Sequence, residues 1–322
     1  MRPPLLSRVA SSLYRIGRLM ERADHLARIL DVHAGVFLDR PGAISADYWT
    51  RFLALADIKV PDEAREALAT ELSLDGVRDA IAGARRLALA IRPSISTEVF
   101  EQLNVLHWKL QEPREELLHD QLHDHLVSVQ LGVHLVIGLI EETMTHDEAW
   151  DFLRLGKYLE RAGAVTQLVT RKLSELAGNE DPVLWASVLK CCSSFEAYRT
   201  RFSAPVTAGR VAAFLLLDRS LPRSAGFCVN EALGSVRRID ATREAQSQPH
   251  RILGRLSALF DYTEEAEVSA DALGFQKSFF ELSIALERAL HTHYFQPSQV
   301  VMEPAQAPIW AQTPQQQQQE DG

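Results

Sequence analysis

Two copies of a glutamate–arginine pair are the side chains in this sequence best suited to chemistry. Glu21-Arg22 and Glu160-Arg161 lie in the similar segments LYRIGRLMERADHLARIL and FLRLGKYLERAGAVTQLV, which are offset by 139 residues. Guanidinium groups bind carboxylates, and carboxylates bind amines, at close range. The two pairs therefore predict a polar site for a ligand that carries both charges.

The wider candidate set consists of the charged residues in and around the two pairs. We predict a substrate-binding site formed by Arg15, Arg18, Glu21, Arg22, Arg154, Lys157, Glu160 and Arg161. Glu21 and Glu160 are its candidate catalytic residues, as general acid–base groups. Two structural interpretations compete with this site. The charges could form ladders on a solvated helix face, or the Arg–Glu sets could brace the contact between two halves of the chain.

Long amphipathic helices must position these side chains. From Leu13 to Leu30, apolar residues recur at steps of three and four, which is typical of a single helical stripe. Strand-like alternation is absent from the sequence. The predicted fold class is therefore all-α, an elongated multi-helix bundle. Its longer helices are predicted over about 5–37, 76–92, 115–144 and 147–176, with further helix starts at Ser45, Pro61 and Asp181-Pro182.

The repeated segments also predict the domain organisation. Each begins a part of similar length, so we predict a duplication with half-repeats over 1–145 and 146–296. The remaining residues, 297–322, include four prolines and five consecutive glutamines. That composition predicts a disordered C-terminal tail.

Charge and composition narrow the function classes. The chain has 34 Lys and Arg against 43 Asp and Glu, a net charge of −9, which disfavours nucleic-acid and anionic membrane partners. Its most apolar runs, 131–140 and 211–217, are too short to span a bilayer, and no signal-peptide core precedes them. Three cysteines without disulfide or metal spacing favour a reducing compartment. We expect a cytoplasmic protein.

Two other chemical sites are weaker candidates. The run His119–His125 has metal-like density, and Glu116-x-x-His119 is half of the di-iron motif of ferritin-like bundles, but a second Glu-x-x-His is missing. Cys228 has Arg223 nearby as an activating charge, yet its apolar neighbours favour a buried helix cysteine. No phosphate-binding motif occurs. We therefore predict neither a metal nor a cofactor.

Four motifs in this order resemble the bacterial alpha-E family: the opening LSRVASSLYRIGRLMERADHLARILDV, then STEVFEQLN, FLRLGKYLERA and LPRSAGFCV. The resemblance covers about residues 5–295 and implies an all-helical fold with characteristic glutamates. Carried over to this chain, the family motif places these on Glu21 and Glu160, each followed by its arginine. The family usually has an aromatic residue where this chain has Arg15, which indicates a different ligand if that residue contacts one.

The resemblance also implies partners. Members of the family accompany circularly permuted ATP-grasp proteins and transglutaminase-like proteins, which implies a setting in amide-bond formation or cleavage. We therefore expect a helical accessory protein that binds a peptide or amino-acid ligand and has no catalysis of its own. One alternative is an independent amide-bond enzyme that uses Glu21 or Glu160. A ferritin-like metal protein is the other.

Overall fold

The computed structural model describes residues 5–39, 66–111, 119–175, 181–203, 205–241 and 247–296. Within these ranges 87% of the residues are helical and no strand occurs, which confirms the all-α class. The helices are α1 (Ser7–Asp39), α2 (Glu66–Ala90), α3 (Thr97–Gln111), α4 (His119–Thr143), α5 (Glu148–Glu175), α6 (Pro182–Cys191), α7 (Phe195–Arg201), α8 (Ala208–Leu217), α9 (Ala225–Ala241), α10 (Gln248–Asp261), α11 (Glu265–Ala270) and α12 (Ala272–Leu290).

The long helices predicted from apolar periodicity are present with shifted ends. α2 begins at Glu66, ten residues before its predicted start, because the intervening sequence EALATELSLD consists largely of good helix formers. The predicted cap is confirmed: Asp181 Oδ1 accepts a hydrogen bond of 2.9 Å from the backbone N–H of Val183. The starts predicted at Ser45 and Pro61 and the tail predicted over 297–322 lie outside the described residues.

Two rings of four helices are joined by the contact between α1 and α5. In the first ring, α1 and α3 each pack against both α2 and α4. In the second ring, α5 and α10 each pack against both α9 and α12. The contact between α1 and α5 is the most extensive, so the helices that carry the two Glu–Arg pairs lie at the centre of the molecule. The duplication into 1–145 and 146–296 stays a prediction.

α1 and α5 approach each other most closely at two glycines. An added Cβ at Gly17 would overlap the carbonyl oxygen of Leu153, and one at Gly156 would overlap that of Tyr14. Only glycine permits backbones to come this near. The two helices run in the same direction, so each Glu–Arg pair, about one turn beyond its glycine, lies opposite the other pair.

Among the residues that the structure describes, one helical stretch, Gln121–Thr143 in α4, is long and apolar enough to cross a membrane by length and composition. It is longer than the apolar run considered above because the flanking residues carry few charges. A third of its apolar window is buried in the protein, where Leu126, Val129 and Val133 pack in the core. A single helix of this kind is weak evidence for a membrane span, since core helices of soluble proteins have the same composition.

Candidate functional site

The two Glu–Arg pairs meet across the α1–α5 crossing, and each glutamate binds the arginine of the other pair. Arg161 donates to Glu21 through Nε and Nη2, both at 2.6 Å. Arg22 donates to Glu160 through Nε at 2.7 Å. The reciprocal pairing places one ion pair on each side of the crossing, and the two sides differ in their access to solvent.

On the first side the ion pair is sealed inside the protein. The Glu21 side chain is 2% exposed and that of Arg161 is 10% exposed. Arg161 also donates from Nη1 to the carbonyl of Pro222 at 3.1 Å. Burial alone would raise the pKa of Glu21, but the charge and hydrogen bonds of Arg161, with the charge of Arg223, lower that pKa below its ordinary value. The arginine partners of Glu21 therefore favour its ionised form.

A second carboxylate on this side binds three further cationic or polar groups. Asp24, one turn after Glu21, receives Arg28 at 2.7 Å and Arg223 at 2.9 Å, and it lies 3.3 Å from the His134 ring. Burial acts to raise the pKa of Asp24, but the His134 hydrogen bond and the two guanidinium charges hold it well below its usual range. Arg223 comes from the loop before α9 and completes the closure of this side.

On the second side the ion pair lies at the edge of a cavity. Glu160 receives Arg22 on one carboxylate oxygen and Arg18 on the other, both at 2.7 Å. Arg18 also donates to Glu287 Oε1 at 2.7 Å, and the Tyr14 hydroxyl donates to the same oxygen at 2.6 Å. Both oxygens of Glu160 are thus occupied by arginines, whereas Glu287 Oε2 accepts no hydrogen bond from a described residue.

The cavity lies between α1, α5 and α12 and has a volume of about 480 Å³. This is within the range of small-molecule sites. Its lining contains both charged residues and apolar residues from all three helices. The lining consists of Arg18, Arg22, His25, Leu26, Leu159, Glu160, Gly163, Ala164, Gln167, Phe279, Phe280, Ser283, Ile284, Leu286, Glu287 and Arg288.

The two repeated segments carry different residues at two positions that follow the Glu–Arg pair. The first segment continues with Asp24-His25, and the second continues at the matching positions with Gly163-Ala164. An added Cβ at Gly163 would touch nothing within 4 Å, so the small residues leave space on the second side. His25 also lines the cavity, and burial lowers its pKa to about 4, so its ring is neutral at pH 7.

The predicted binding set is therefore divided among three places. Arg18, Arg22 and Glu160 line the cavity. Glu21 and Arg161 form the sealed pair, which corresponds to the bracing interpretation. The three remaining residues lie away from the cavity wall: Arg15 is exposed on α1, and Arg154 and Lys157 bind Glu141 on the other flank of α5. The structure thus does not bring all eight residues together in a single site.

Arg154 and Lys157 belong to a separate cluster at α4, α5 and α9. Arg154 bridges Glu141, at 3.3 Å, and Glu231, and its guanidinium lies 4.3 Å from the centre of the Trp150 ring. Burial and the neighbouring charge of Arg161 lower the pKa of Lys157 below its ordinary value. The space beside Lys157 is only about 20 Å³, too little for a ligand.

The weaker candidates find no support in the described residues. No group of three His, Cys, Asp or Glu able to hold a metal occurs among them, and the side chains of His119 and Asp120 lie outside the described set. His123 instead binds Asp31 at 2.6 Å. All three cysteines are buried, and burial raises the pKa of Cys228 to about 12, which keeps its thiol unreactive at neutral pH.

Sequence reasoning missed the residues that come from distant helices. Glu287 faces the cavity from α12, and Arg223 closes the sealed side from a loop, each more than 100 residues from the segment it contacts. The motif LPRSAGFCV contained Arg223, but nothing in its spacing indicated Glu21 or Asp24 as partners. The difference between Asp24-His25 and Gly163-Ala164 was visible and was the one available sign of unequal sides.

Comparison with known proteins agrees with the resemblance seen in the sequence. Residues 5–295 match the Alpha-E family, described as a predicted alpha-helical domain with a conserved ER motif. The chain is 24% identical to the uncharacterized protein Rv2567 of Mycobacterium tuberculosis over 94% of this chain and 38% of that protein. The same values hold for the uncharacterized protein Mb2597 of Mycobacterium bovis. The chain thus spans well under half the length of these relatives. No solved structure matches it.

Proposed function

This chain belongs to the Alpha-E family, and from that premise we propose that it is a helical accessory protein that binds a peptide or amino-acid substrate for a separate amide-bond enzyme. The ligand occupies the cavity between α1, α5 and α12. The observation that carries the proposal is the pair of unused polar groups at the cavity wall, which have opposite charges and lie beside an ion pair that fixes them.

The carboxylate of the ligand binds Arg22. The Nε of Arg22 donates to Glu160, but the two terminal nitrogens of Arg22 donate to no described residue. The Arg22 side chain is 49% exposed. Arg288 lines the same cavity and adds a second positive charge. A carboxylate that reaches Arg22 forms charge-assisted hydrogen bonds, which contribute about 1.5–3 kcal/mol each.

The amine of the ligand binds Glu287. Glu287 Oε1 accepts hydrogen bonds from Arg18 and Tyr14, which fix the side chain, and Oε2 accepts none from a described residue. Glu160, whose two oxygens are both occupied, acts as a positioning residue that holds Arg18 and Arg22 in place. This assignment moves the amine-binding role from the glutamates of the repeated motif to a residue of α12.

The partner is a circularly permuted ATP-grasp ligase or a transglutaminase-like protein, as the family resemblance implies. Support for action beside another protein segment comes from the mycobacterial relatives, in which the matched region makes up only 38% of the length. The sealed Glu21 is a poor acid–base group, because its side chain is 2% exposed and does not line the cavity in which a substrate would lie.

The proposal is tested by calorimetric titration of the full chain with Ala-Ala, Ala-Phe, Ala-Lys and Ala-Glu. We expect at least one dipeptide to bind, with affinity reduced about ten- to a hundredfold by Arg22→Gln and by Glu287→Gln. Arg86→Gln removes an exposed arginine of α2 away from the cavity and should leave the affinity unchanged. Dipeptides with an amidated carboxy-terminus should bind the wild type and Arg22→Gln equally weakly.

Two outcomes would overturn the proposal. One is that no dipeptide binds, or that binding is indifferent to both cavity substitutions. The other is turnover of the dipeptides with ATP by the purified chain alone, which would favour the independent amide-bond enzyme. In that case Glu160→Gln should abolish turnover, because Glu160 is the one repeated glutamate that lines the cavity.

A further inference from the structure

The cavity lining includes apolar residues from all three helices, some of them partly uncovered. These residues, called the apolar flank, are Phe279, Phe280 and Ile284 of α12, Leu26 of α1 and Leu159 of α5. Ile284 is 53% exposed, and Phe280, one turn before it on α12, is partly exposed, so the two form a continuous uncovered apolar surface. An apolar surface next to unused charged groups indicates a ligand with an apolar body and a charged head.

Resting on the proposed function, we propose that the ligand is a free amino acid or a peptide carboxy-terminus whose last side chain is large and apolar, such as phenylalanine or leucine. Its carboxylate binds Arg22, and its side chain packs on Phe280 and Ile284. The cavity thus selects its substrate by the final residue.

Gly163 provides the space for that side chain. It lies on α5 in the cavity lining, and an added Cβ would meet no atom within 4 Å. Glycine within a helix is unfavourable by about 1 kcal/mol relative to alanine, so packing or helix stability gives no reason for it here. A larger residue at this position would fit the helix and project into the space that the ligand needs.

The charges in the cavity favour an acidic head over a basic one. Arg18, Arg22 and Arg288 face Glu160 and Glu287, and His25 is neutral, so the lining has one excess positive charge at pH 7. A ligand that ends in lysine would place a second cation against the apolar flank, where burial without a partner is costly. A ligand that ends in glutamate would place a second anion against the same apolar flank, which is costly for the same reason.

Calorimetric titration of the full chain with Ala-Phe, Ala-Leu, Ala-Ala, Ala-Glu and free phenylalanine tests this inference. Ala-Phe and Ala-Leu should bind at least about tenfold more tightly than Ala-Ala, since one methylene in an apolar pocket discriminates by that factor. Free phenylalanine that binds as tightly as Ala-Phe assigns the free amino acid, and weaker binding assigns the peptide terminus.

Matched substitutions separate filling of the cavity from general effects on the helix. Gly163→Leu should weaken binding of Ala-Phe at least about tenfold, whereas Gly138→Leu, at another helical glycine with open space, should leave it unchanged. Ile284→Ser should narrow the preference for Ala-Phe over Ala-Ala. Leu273→Ser, which alters a similarly exposed apolar residue of α12 outside the cavity, should preserve the preference.

The outcomes that overturn the inference differ from those that overturn the proposed function. Equal affinity for Ala-Phe and Ala-Ala, with both still dependent on Arg22, would refute the selection of an apolar side chain and leave the proposed function standing. If Gly163→Leu binds Ala-Phe with unchanged affinity, the apolar side chain of the ligand does not lie beside Gly163. If none of the probes binds, both the inference and the proposed function are refuted.

Discussion

Replacing Glu21 by Gln should cost this protein far more stability than the same change at Glu160. Both glutamates occupy the same position of a repeated motif, and both bind an arginine of the opposite helix. Glu21 is sealed with Arg161, and Arg223 lies 3.5 Å from the same carboxylate. Glu160 instead faces a cavity, and its partner Arg22 is half exposed.

The magnitude follows from what each substitution leaves behind. Glu21→Gln leaves the buried guanidinium of Arg161 and the partly buried one of Arg223 with one carboxylate fewer. Removal of one partner from a buried ion pair costs about 3–5 kcal/mol. Arg161 keeps its bond to Pro222 and can donate to the new amide oxygen, so we expect the lower end, about 3 kcal/mol. Glu160→Gln should cost about 1 kcal/mol, because partly exposed pairs contribute little.

Urea denaturation followed by circular dichroism measures both free energies of unfolding. Should Glu21→Gln not fold, Glu21→Asp retains the charge and should lose less stability, while Arg22→Gln at the open pair stays near the wild type. A loss below about 1 kcal/mol for Glu21→Gln, or equal losses for the two glutamates, would refute the distinction between a sealed bracing pair and an open one.

Three further predictions concern the packing, the pH dependence and the thiols. Gly17→Ala should destabilise the protein by about 1–3 kcal/mol in urea denaturation, because its Cβ overlaps the backbone of α5, whereas Gly138→Ala should not. Burial lowers the pKa of His33 to about 3, so the unfolded chain binds a proton that the folded chain does not, and stability should fall as the pH drops from about 6.5 towards 3. His33→Gln should reduce that slope by about 1.4 kcal/mol per pH unit, and an unchanged slope would contradict the assignment. Cys191, Cys192 and Cys228 should react with a thiol reagent only after denaturation, and rapid labelling of the native chain would show that one is accessible.

Apolar periodicity was sufficient to predict the helices that form the centre of the fold. The stripe from Leu13 to Leu30 continues over Ser7–Asp39, and the second segment forms Glu148–Glu175. The start of α2 was missed because residues 66–75 show helix propensity rather than a clear stripe. Periodicity reports which face of a helix is buried, and where neither face is strongly apolar it loses the boundary.

The structure divides the predicted site residues among different places. Arg18, Arg22 and Glu160 do line one cavity, but Arg15 is exposed, and Arg154 turns to Glu141 on the other flank. Helical spacing orders residues around one helix and says nothing of which flank a neighbouring helix covers. The contribution of Glu287 from α12 was therefore outside the reach of any local pattern.

The two copies of the motif have different surroundings in this chain because their neighbours differ. A Glu–Arg pair on a helix that crosses its counterpart forms two ion pairs, and whether either one reaches a ligand depends on the volume of the residues beside it. Asp24 fills the first side and attracts Arg223, which closes it. Gly163 has no side chain to occupy the matching space, so a cavity remains beside Glu160 on the second side. A duplicated motif can thus hold the centre of a fold with one copy and leave the other copy available for binding.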